Sequence, residues 1–300
     1  MALAINNNTS AFNVFASYTK NIGNMKKSMS RLSSGTRNVE DDASGVGISE
    51  RMRAQIRSTA MARQNVQNGL SLLQTADSWL QKINDMLSRM HELTVEAGDG
   101  TKSTQDINNI QSEFKELQAE IVRITDESSA AAKFNGLYLF RGGDGREKLG
   151  VGADAGVSIQ IGADLGQKVK IELKQLDLSV TGTEGSIGSV NGTAVQWASI
   201  INTETMSVRS ADVIGKVEKA IDFVANSRAT LGAQQSRFNQ THDGLLAYED
   251  NLRQAESKVR DVDVARESTE FSKYQILSQI SNAMLTQANQ LPATAVQLLG

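Results

Sequence analysis

Few residues in this chain are of the types that carry out catalysis. His91 and His242 are its 2 histidines, and neither has a second histidine at the spacing of a metal-binding pair on a helix. Because the chain has 0 cysteines, thiol catalysis, thiolate metal sites and disulfides are excluded. No serine has an evident histidine base, since only these two histidines could serve it. We therefore interpret both histidines as surface or groove residues, and we expect no enzyme activity, no metal and no cofactor.

Three other motifs weakly resemble ligand sites. Asp41 and Asp42 are adjacent carboxylates that we interpret as a turn or helix cap. The glycines in "LGVGADAG", residues 149–156, precede an alternating strand rather than the helix that a dinucleotide turn requires. "GGDGRE", residues 142–147, resembles one copy of a calcium repeat that functions only in stacks. None of the three predicts a site.

Composition excludes further classes of function. The net charge is -3 and the cations are spread along the chain, so no basic stripe predicts nucleic-acid binding. No apolar run approaches the roughly 18 residues of a membrane span. A single proline, Pro292, and only 5% aromatic residues favour long helices with aliphatic cores.

Apolar periodicity predicts a helix near the start of the chain. Its apolar residues alternate steps of four and three, the pattern of a helix that packs along another helix. Gly35 is positioned to end this helix. The stripe consists of Ala11, Phe15, Tyr18, Ile22, Met25, Met29 and Leu32.

Two more helices are predicted before the middle of the chain. Apolar residues at helical spacing run from Val66 to Leu93 and again from Ile107 to Ile124. The short break "AGDGTKS", residues 97–103, predicts that the two helices form an antiparallel hairpin.

The longest repeat of apolar residues lies in the last third of the chain. Apolar residues recur at every seventh position, and polar companions such as Arg228 and Glu249 predict that one side of the seam is wet. The recurring residues are Val217, Val224, Leu231, Phe238, Leu245, Leu252 and Val259. A terminal helix follows, ending in the apolar "QANQLPATAVQLLG", residues 287–300.

The apolar terminal segment needs a cover, which could be the protein's own core, a membrane or another copy. Lys273 is the last cation, so the flanking charges that favour interfacial membrane binding are missing. Helix-to-helix packing is the favoured interpretation, and the two chain ends are expected to meet.

The middle of the chain changes character. Alternation of Val157, Ile159 and Ile161 with Val169, Ile171 and Leu173 predicts a β-hairpin around residues 163–166. Residues 179–193 are rich in Gly, Ser and Thr and predict an exposed loop. The fold class is therefore mainly α: an elongated, coiled-coil-like helical rod built from both chain ends, with a small β-hairpin region at the outer tip.

Three segments resemble bacterial flagellin closely. They are "LSSGTRNVEDDASGVGISERMRAQI" at 32–56, "FNG" at 134–136 and the C-terminal segment at 260–300 that begins "RDVDVARESTEF". The resemblance covers roughly residues 1–175 and 205–300. It implies a secreted, self-assembling subunit of the flagellar filament that serves motility and is exported unfolded and uncleaved through the flagellar type III apparatus. An export chaperone, junction and cap proteins are the other implied partners.

The resemblance also implies a division of the chain. Residues 1–43 and 263–300 are expected to be terminal helices that are disordered in the monomer and form the inner tube of the filament. Residues 44–176 and 206–262 are expected to form the surrounding helical rod with its β-hairpin. Residues 177–205 stand where many flagellins insert large outer domains, so this is a short form with only an exposed loop segment there.

Three sets of site residues are expected by the same resemblance. Filament assembly is assigned to Phe15, Ile22, Met29, Ile276, Leu277, Ile280, Met284 and Leu291. Recognition by a Toll-like receptor is assigned to the "RMHEL" helix and its neighbour, through Arg89, Glu92, Leu93 and Glu113. O-linked sugars are assigned to Ser179, Thr181, Thr183, Ser186, Ser189 and Thr193.

Two alternatives remain open at this point. The hook-filament junction protein has the same two-ended helical plan and a similar length. A cytosolic coiled-coil scaffold belongs to a different class and would stay inside the cell.

Overall fold

The computed structural model describes residues 8–40, 42–125, 131–140, 157–171, 186–190, 193–201, 206–210 and 212–299. In these ranges the chain is mainly α, as predicted. Its helices are α1 Thr9–Ser34, α2 Ala43–Ala97, α3 Thr104–Thr125, α4 Trp197–Ile201, α5 Val213–Arg260 and α6 Val264–Leu299. Its strands are β1 Lys133–Phe134, β2 Leu137–Tyr138, β3 Val157–Gln160, β4 Lys168–Ile171, β5 Ser186–Val190 and β6 Thr193–Gln196.

The chain divides into two compact units. The terminal unit comprises residues 1–57 and 250–300, and the central unit comprises residues 58–249. Both divisions fall inside the long helices α2 and α5. The predicted boundaries at 43 and 263 lie instead beside the helix breaks.

In the central unit, α2 and α3 form the predicted antiparallel hairpin. The Nε atom of Arg89 on α2 lies 2.8 Å from an Oε atom of Glu113 on α3, and Lys102 and Glu96 are 2.7 Å apart at the turn. Apolar residues of both helices form one buried core with α5. Its most buried members include Leu73, Leu80, Ile83, Leu87, Met90, Leu93, Phe114, Ile121, Val217, Val224, Leu231 and Phe238.

The helix α5 runs antiparallel to α2. Burial confirms most of the apolar residues that the sequence places at every seventh position of α5. The first four of them are buried, whereas Leu245, Leu252 and Val259 are only partly buried. The expectation of a wet side is wrong at Glu249, which is 3% exposed and lies 3.7 Å from the Nε atom of Arg63. The cation compensates this burial, which an unpaired carboxylate could not tolerate.

The predicted β-hairpin is confirmed. Strands β3 and β4 pair antiparallel with Val157 opposite Ile171 and Ile159 opposite Val169, and the turn passes through Gly166 at φ +92°. Leu173, also assigned to this hairpin, lies outside the described residues. Gly69 of α2 is needed where β3 approaches, because a Cβ there would overlap the side chain of Ile159.

The segment interpreted as an exposed loop contains regular structure. Strands β5 and β6 form a second antiparallel hairpin, and α4 follows directly. Val195, Trp197 and Ile200 are buried in the core, so the exposed-loop interpretation of the last part of residues 177–205 is wrong. The amide of Gln118 on α3 donates to the carbonyl oxygen of Ile200 at 2.6 Å and holds α4 in place.

The helix ends of the terminal unit follow the sequence signals. Asn8 caps α1 by accepting from the Ala11 amide at 3.0 Å, and Gly35 ends it at φ 68°, as predicted. Asp42 accepts from the Gly45 amide at 2.7 Å, which confirms its capping role, while Asp41 lies outside the described residues. The chain segments after α1 and after α5 meet at a bridge between Thr36 and Asp261.

Candidate assembly surface

The two ends of the chain meet as an antiparallel pair of helices, as the sequence predicts. Asn8, just before α1, donates to the carbonyl oxygen of Ala288 on α6 at 2.7 Å. At the opposite end, Arg31 of α1 and Glu267 of α6 are 3.3 Å apart. These contacts fix which face of each helix is covered within one chain.

The contact surface between α1 and α6, called the seam from here on, contains both polar and apolar residues. Polar residues contribute to it directly: Ser28 and Ser281 are buried, and Asn21 donates to Ser281 Oγ at 3.2 Å. Apolar members of the seam are only partly buried, apart from Ala288. On α1 they are Ala11, Val14, Tyr18, Ile22, Met25 and Leu32, and on α6 they are Phe271, Tyr274, Leu277, Leu285 and Ala288.

A second apolar face of α6 is left uncovered. Ile276, Ile280 and Met284 follow one another at steps of four, so they lie on one side of the helix. Their side chains are 56%, 52% and 51% exposed. Leu277, also predicted as an assembly residue, is half-buried in the seam, and the side chain of Leu291 lies outside the described residues.

The helix α1 leaves apolar residues uncovered as well. Phe12, Phe15 and Met29 are 72%, 55% and 50% exposed. Phe15 and Met29 are predicted assembly residues, whereas Ile22, the third one predicted on α1, is half-buried in the seam. Phe12 was missed by the sequence reasoning, although its position three residues before Phe15 could have indicated it.

Beside this pair, the ends of α2 and α5 in the terminal unit are joined by polar contacts. Ser49 donates to an Oε atom of Glu256 at 3.0 Å, and the Nε atom of Arg53 lies 3.3 Å from the same carboxylate. A hydrogen bond from Arg260 lowers the pKa of Glu50. Charge and hydrogen bonding therefore join these two helix ends, rather than a large apolar core.

The residues assigned to receptor recognition are only partly brought together. The Arg89 guanidinium bridges Glu113 at 2.8 Å and Glu92 at 3.0 Å on the surface of the α2–α3 hairpin. The hydrogen bond that Arg89 donates to Glu113 raises the pKa of Arg89 above its ordinary value. Leu93 does not join them, because it is 1% exposed and belongs to the core.

The histidines lie apart in the central unit. His91 Nε2 is 3.6 Å from a Glu218 carboxylate oxygen, and His242 Nε2 is 3.3 Å from the Gln67 amide. Among the described residues, no group of three or more His, Asp or Glu side chains could hold a metal ion. In the same part of the chain no helix is both long and apolar enough to cross a membrane.

Of the predicted sugar sites, Ser179, Thr181 and Thr183 lie outside the described residues. Ser186 and Ser189 belong to β5 and Thr193 begins β6, and their side chains are likewise outside the description.

Comparison with known proteins gives matches at both ends and along the full length. The family model "Bacterial flagellin N-terminal helical region" matches residues 5–144, and "Bacterial flagellin C-terminal helical region" matches residues 214–299. Flagellin of Bacillus subtilis is 39% identical over 99% of this chain and 100% of that protein. The chain belongs to the bacterial flagellin family.

Other flagellins and filament proteins match over similar lengths. Flagellin of Halalkalibacterium halodurans is 36% identical, and the "Flagellar filament 33 kDa core protein" of Treponema phagedenis is 37% identical, each over 99% of this chain and 100% of that protein. The crystal structure of Bacillus cereus flagellin gives a TM-score of 0.43 at 21% identity, over 61% of this chain and 88% of that chain. The full-length matches show that this short form of flagellin has relatives of comparable length.

Proposed function

We propose that this flagellin is the structural subunit of a bacterial flagellar filament, and that other copies of the chain cover the apolar faces of α1 and α6. The observation that carries the proposal is the half-exposed row Ile276, Ile280 and Met284 opposite a seam already occupied by α1. Membership of the flagellin family supports polymerisation, and the exposed row on α6 supports our assignment of the surface that other copies contact.

The energetic argument rests on the apolar area left in water. Fully burying an isoleucine or methionine side chain contributes about 1.5–3 kcal/mol, so a half-exposed one retains about half of that for a partner. By the same rule, complete burial of three such residues on α6 and three on α1 would contribute several kcal/mol of association free energy per subunit. A filament repeats this contribution at every copy, which favours a polymer over a single contact.

The proposed arrangement assigns layers to the chain. Residues 1–43 and 263–300 form the inner tube, residues 44–176 and 206–262 form the surrounding rod, and the part of residues 177–205 that precedes β6 faces outward. The mixed seam of α1 and α6 supports the first assignment, because a helix pair that closes incompletely in one chain gains from neighbours. Buried Val195 and Trp197 restrict any outward-facing part to residues before β6.

Export and the accessory partners follow from the same proposal. The subunit would leave the cell unfolded through the flagellar type III apparatus, with an export chaperone beforehand and junction and cap proteins at the filament ends. In the terminal unit, polar contacts rather than a large apolar core hold α2 and α5 together. Such a region unfolds readily, as export through the apparatus would require.

Receptor recognition is proposed at the exposed charges of the α2–α3 hairpin. Arg89, Glu92 and Glu113 present a preformed charged cluster to a partner, whereas Leu93 supports the cluster from the core. O-linked sugars on the six predicted Ser and Thr residues remain a proposal of the same kind, and an intact mass equal to the 32.4 kDa polypeptide would remove it.

Electron microscopy of filaments sheared from producing cells, with mass spectrometry of their subunit, tests the proposal. We expect this chain to be the major subunit along the filament. Retention of the chain inside the cell would contradict the proposal and favour a scaffold. A few copies confined to the filament base would favour the hook-filament junction protein.

A further inference from the structure

The α1–α6 seam contains a polar pair where an apolar contact would be more stable. Asn21 of α1 donates to Ser281 Oγ of α6 at 3.2 Å, and Ser281 is buried. Apolar residues of the seam lie on either side of the pair: Tyr18, Ile22, Met25, Leu277 and Leu285. The seam also includes the polar residues Asn24, Ser28 and Ser278, and Asn21 and Ser281 are the uncharged side chains that bond to each other across it. In coiled coils, a lone polar residue at a core position lowers stability and specifies register.

We infer that the Asn21–Ser281 pair sets the axial register of α1 against α6. The inference rests on the proposed function, because the register matters most where copies of the helix pair must match one another. It also gives a role in assembly to two polar residues that the periodicity of apolar residues does not identify.

The alternative registers show why Asn21 discriminates. If α6 slides by one heptad in one direction, Asn21 faces Ala288, and in the other direction it faces Tyr274. Alanine offers no side-chain acceptor, and the only acceptor of tyrosine is the hydroxyl at the far end of its ring, not at the depth of Ser281 Oγ. A half-buried amide without its partner loses its hydrogen bond and keeps its desolvation cost.

The other polar contacts of the seam specify register less strongly. Arg31 and Glu267 are 3.3 Å apart, but the Arg31 side chain is 29% exposed, so water and salt weaken the pair. The bond from Asn8 goes to the Ala288 carbonyl, which is free to accept it because Pro292, four residues later, has no N–H. This contact favours the same register, but it lies at the end of the seam and only one of its two partners is a side chain. Asn21 and Ser281 are the two side chains whose identities both matter.

Register also determines which surface the pair offers to other copies. Ile276, Ile280 and Met284 on α6 and Phe15 and Met29 on α1 belong to different helices. A slide of one heptad displaces one row against the other by about 10 Å, at 1.5 Å per residue. A neighbouring copy that fits both rows in one register would not fit them in the other.

The absence of cysteine from the chain allows a clean test. Ser10→Cys introduces one thiol two residues from Asn8, and a benzophenone maleimide attached to it inserts into nearby C–H bonds on illumination. Peptide mass spectrometry then locates the insertion along α6. The mapping is carried out on the full chain in the pelleted polymer, and a variant that does not pellet alone is assembled together with an excess of the cysteine-free parent chain.

We expect insertion around Ala288 in the parent chain. In Asn21→Leu we expect a second centre displaced by one heptad along α6, whereas the exchange Asn21→Ser with Ser281→Asn should restore a single centre. Arg31→Gln should keep the parent pattern. A merely stabilising role for Asn21 would change the helical content without moving the centre of insertion.

Several outcomes would overturn the inference. They are a single unmoved centre in Asn21→Leu, a displaced centre in Arg31→Gln, and diffuse insertion along α6 in the parent chain. Failure of the parent chain to pellet as a polymer would overturn the proposed function and the inference that rests on it, whereas a polymer with an unmoved centre in Asn21→Leu would overturn the inference alone.

Discussion

The central and terminal units bury their apolar residues in different ways. In the central unit, Leu80, Ile83 and Phe114 are fully buried by other parts of the same chain. In the terminal unit, Ile280 and Phe15 remain about half exposed although α1 and α6 already cover each other along one seam. The central unit therefore has a core that is closed within a single chain, whereas in our proposal the terminal unit gains its remaining burial from other copies.

This difference separates two properties that a filament subunit needs. A complete core gives each copy a fixed shape before assembly. An incomplete helix pair gives each copy a reason to join others, because apolar area still in water is the main source of association free energy. Substitutions in the two units should accordingly affect different measurements.

The largest effect is expected from Ile280→Asp in the terminal unit, which should abolish polymerisation. The aspartate would be buried against another copy without a partner at a cost of several kcal/mol, or would have to take up a proton. The further burial of isoleucine, about 1 kcal/mol per subunit, is lost as well. Sedimentation and electron microscopy of the secreted protein measure the loss.

Its control is Ile280→Val, which keeps the apolar surface and should still polymerise. Circular dichroism of Ile280→Asp should show that the helices of the central unit persist, since Ile280 is not part of that core. Normal filaments from Ile280→Asp would show that α6 presents another surface to its neighbours.

In the central unit, Phe114→Ala should lower the free energy of unfolding by about 3–5 kcal/mol, because it leaves a cavity among fully buried side chains. Chemical denaturation followed by circular dichroism measures the change in the unpolymerised protein. Phe114→Leu is the matched control and should cost distinctly less. An equal stability of Phe114→Ala and the parent chain would mean that the central core is not closed within one chain.

A smaller effect is expected from Gly69→Ala, also in the central unit. The added methyl group would overlap Ile159 and lie 2.7 Å from Cε1 of Phe238, so β3 or the phenyl ring must shift. Overpacking of this kind costs about 1–3 kcal/mol. Gly232→Ala on α5 of the same unit is the control, because nothing lies within 4 Å of a Cβ there and the substitution should stabilise the helix instead. Equal responses of the two variants would contradict the close approach of β3.

The smallest effect concerns a local cap of the central unit. Ser103 donates from its hydroxyl to Asp106 at 2.7 Å, and the Asp106 amide donates back to Ser103 at 3.2 Å. The Ser103 hydroxyl and amide hold the pKa of Asp106 below its ordinary value. The stabilisation is therefore complete above the ordinary pKa of about 4 and is lost as the pH falls through the lower folded pKa.

Thermal unfolding between pH 6 and pH 2 tests this cap, with Asp106→Asn as the comparison. The parent should lose slightly more stability on acidification than the variant, which has no charge to lose. Identical pH dependence in the two proteins would show that the cap does not contribute.

The sequence predicted the two units unequally for a physical reason. The helices of the central unit and the β3–β4 hairpin have strict apolar periodicity, and the structure contains both. Strands β5 and β6 were missed because Gly and Ser in "SIGSV" resemble a loop in composition, while the burial of Val195 and Trp197 depends on contacts distant in sequence.

The residues predicted to lie between α1 and α6 differ in part from those of the observed seam, for a related reason. Apolar counting selects Ile22 and Met29, but the seam also contains their neighbours Asn21 and Ser28. Polar residues that pair across a seam cannot be recognised from the periodicity of apolar residues. The exposure of Phe15 and Met29 on the other side was therefore visible only in the structure.

Methionine oxidation tests the central claim most directly, because the terminal unit contains exposed methionines and the central unit contains both an exposed and a buried one. Met29 and Met284 are about half exposed in one chain, Met61 is exposed in the central unit, and Met90 is fully buried. Dilute peroxide should oxidise the first three at comparable rates in the soluble protein and Met90 much more slowly. In the polymer, the rates at Met29 and Met284 should fall several-fold toward that of Met90. Equal rates at Met29 and Met284 in polymer and soluble chain would contradict the proposal that other copies cover α1 and α6.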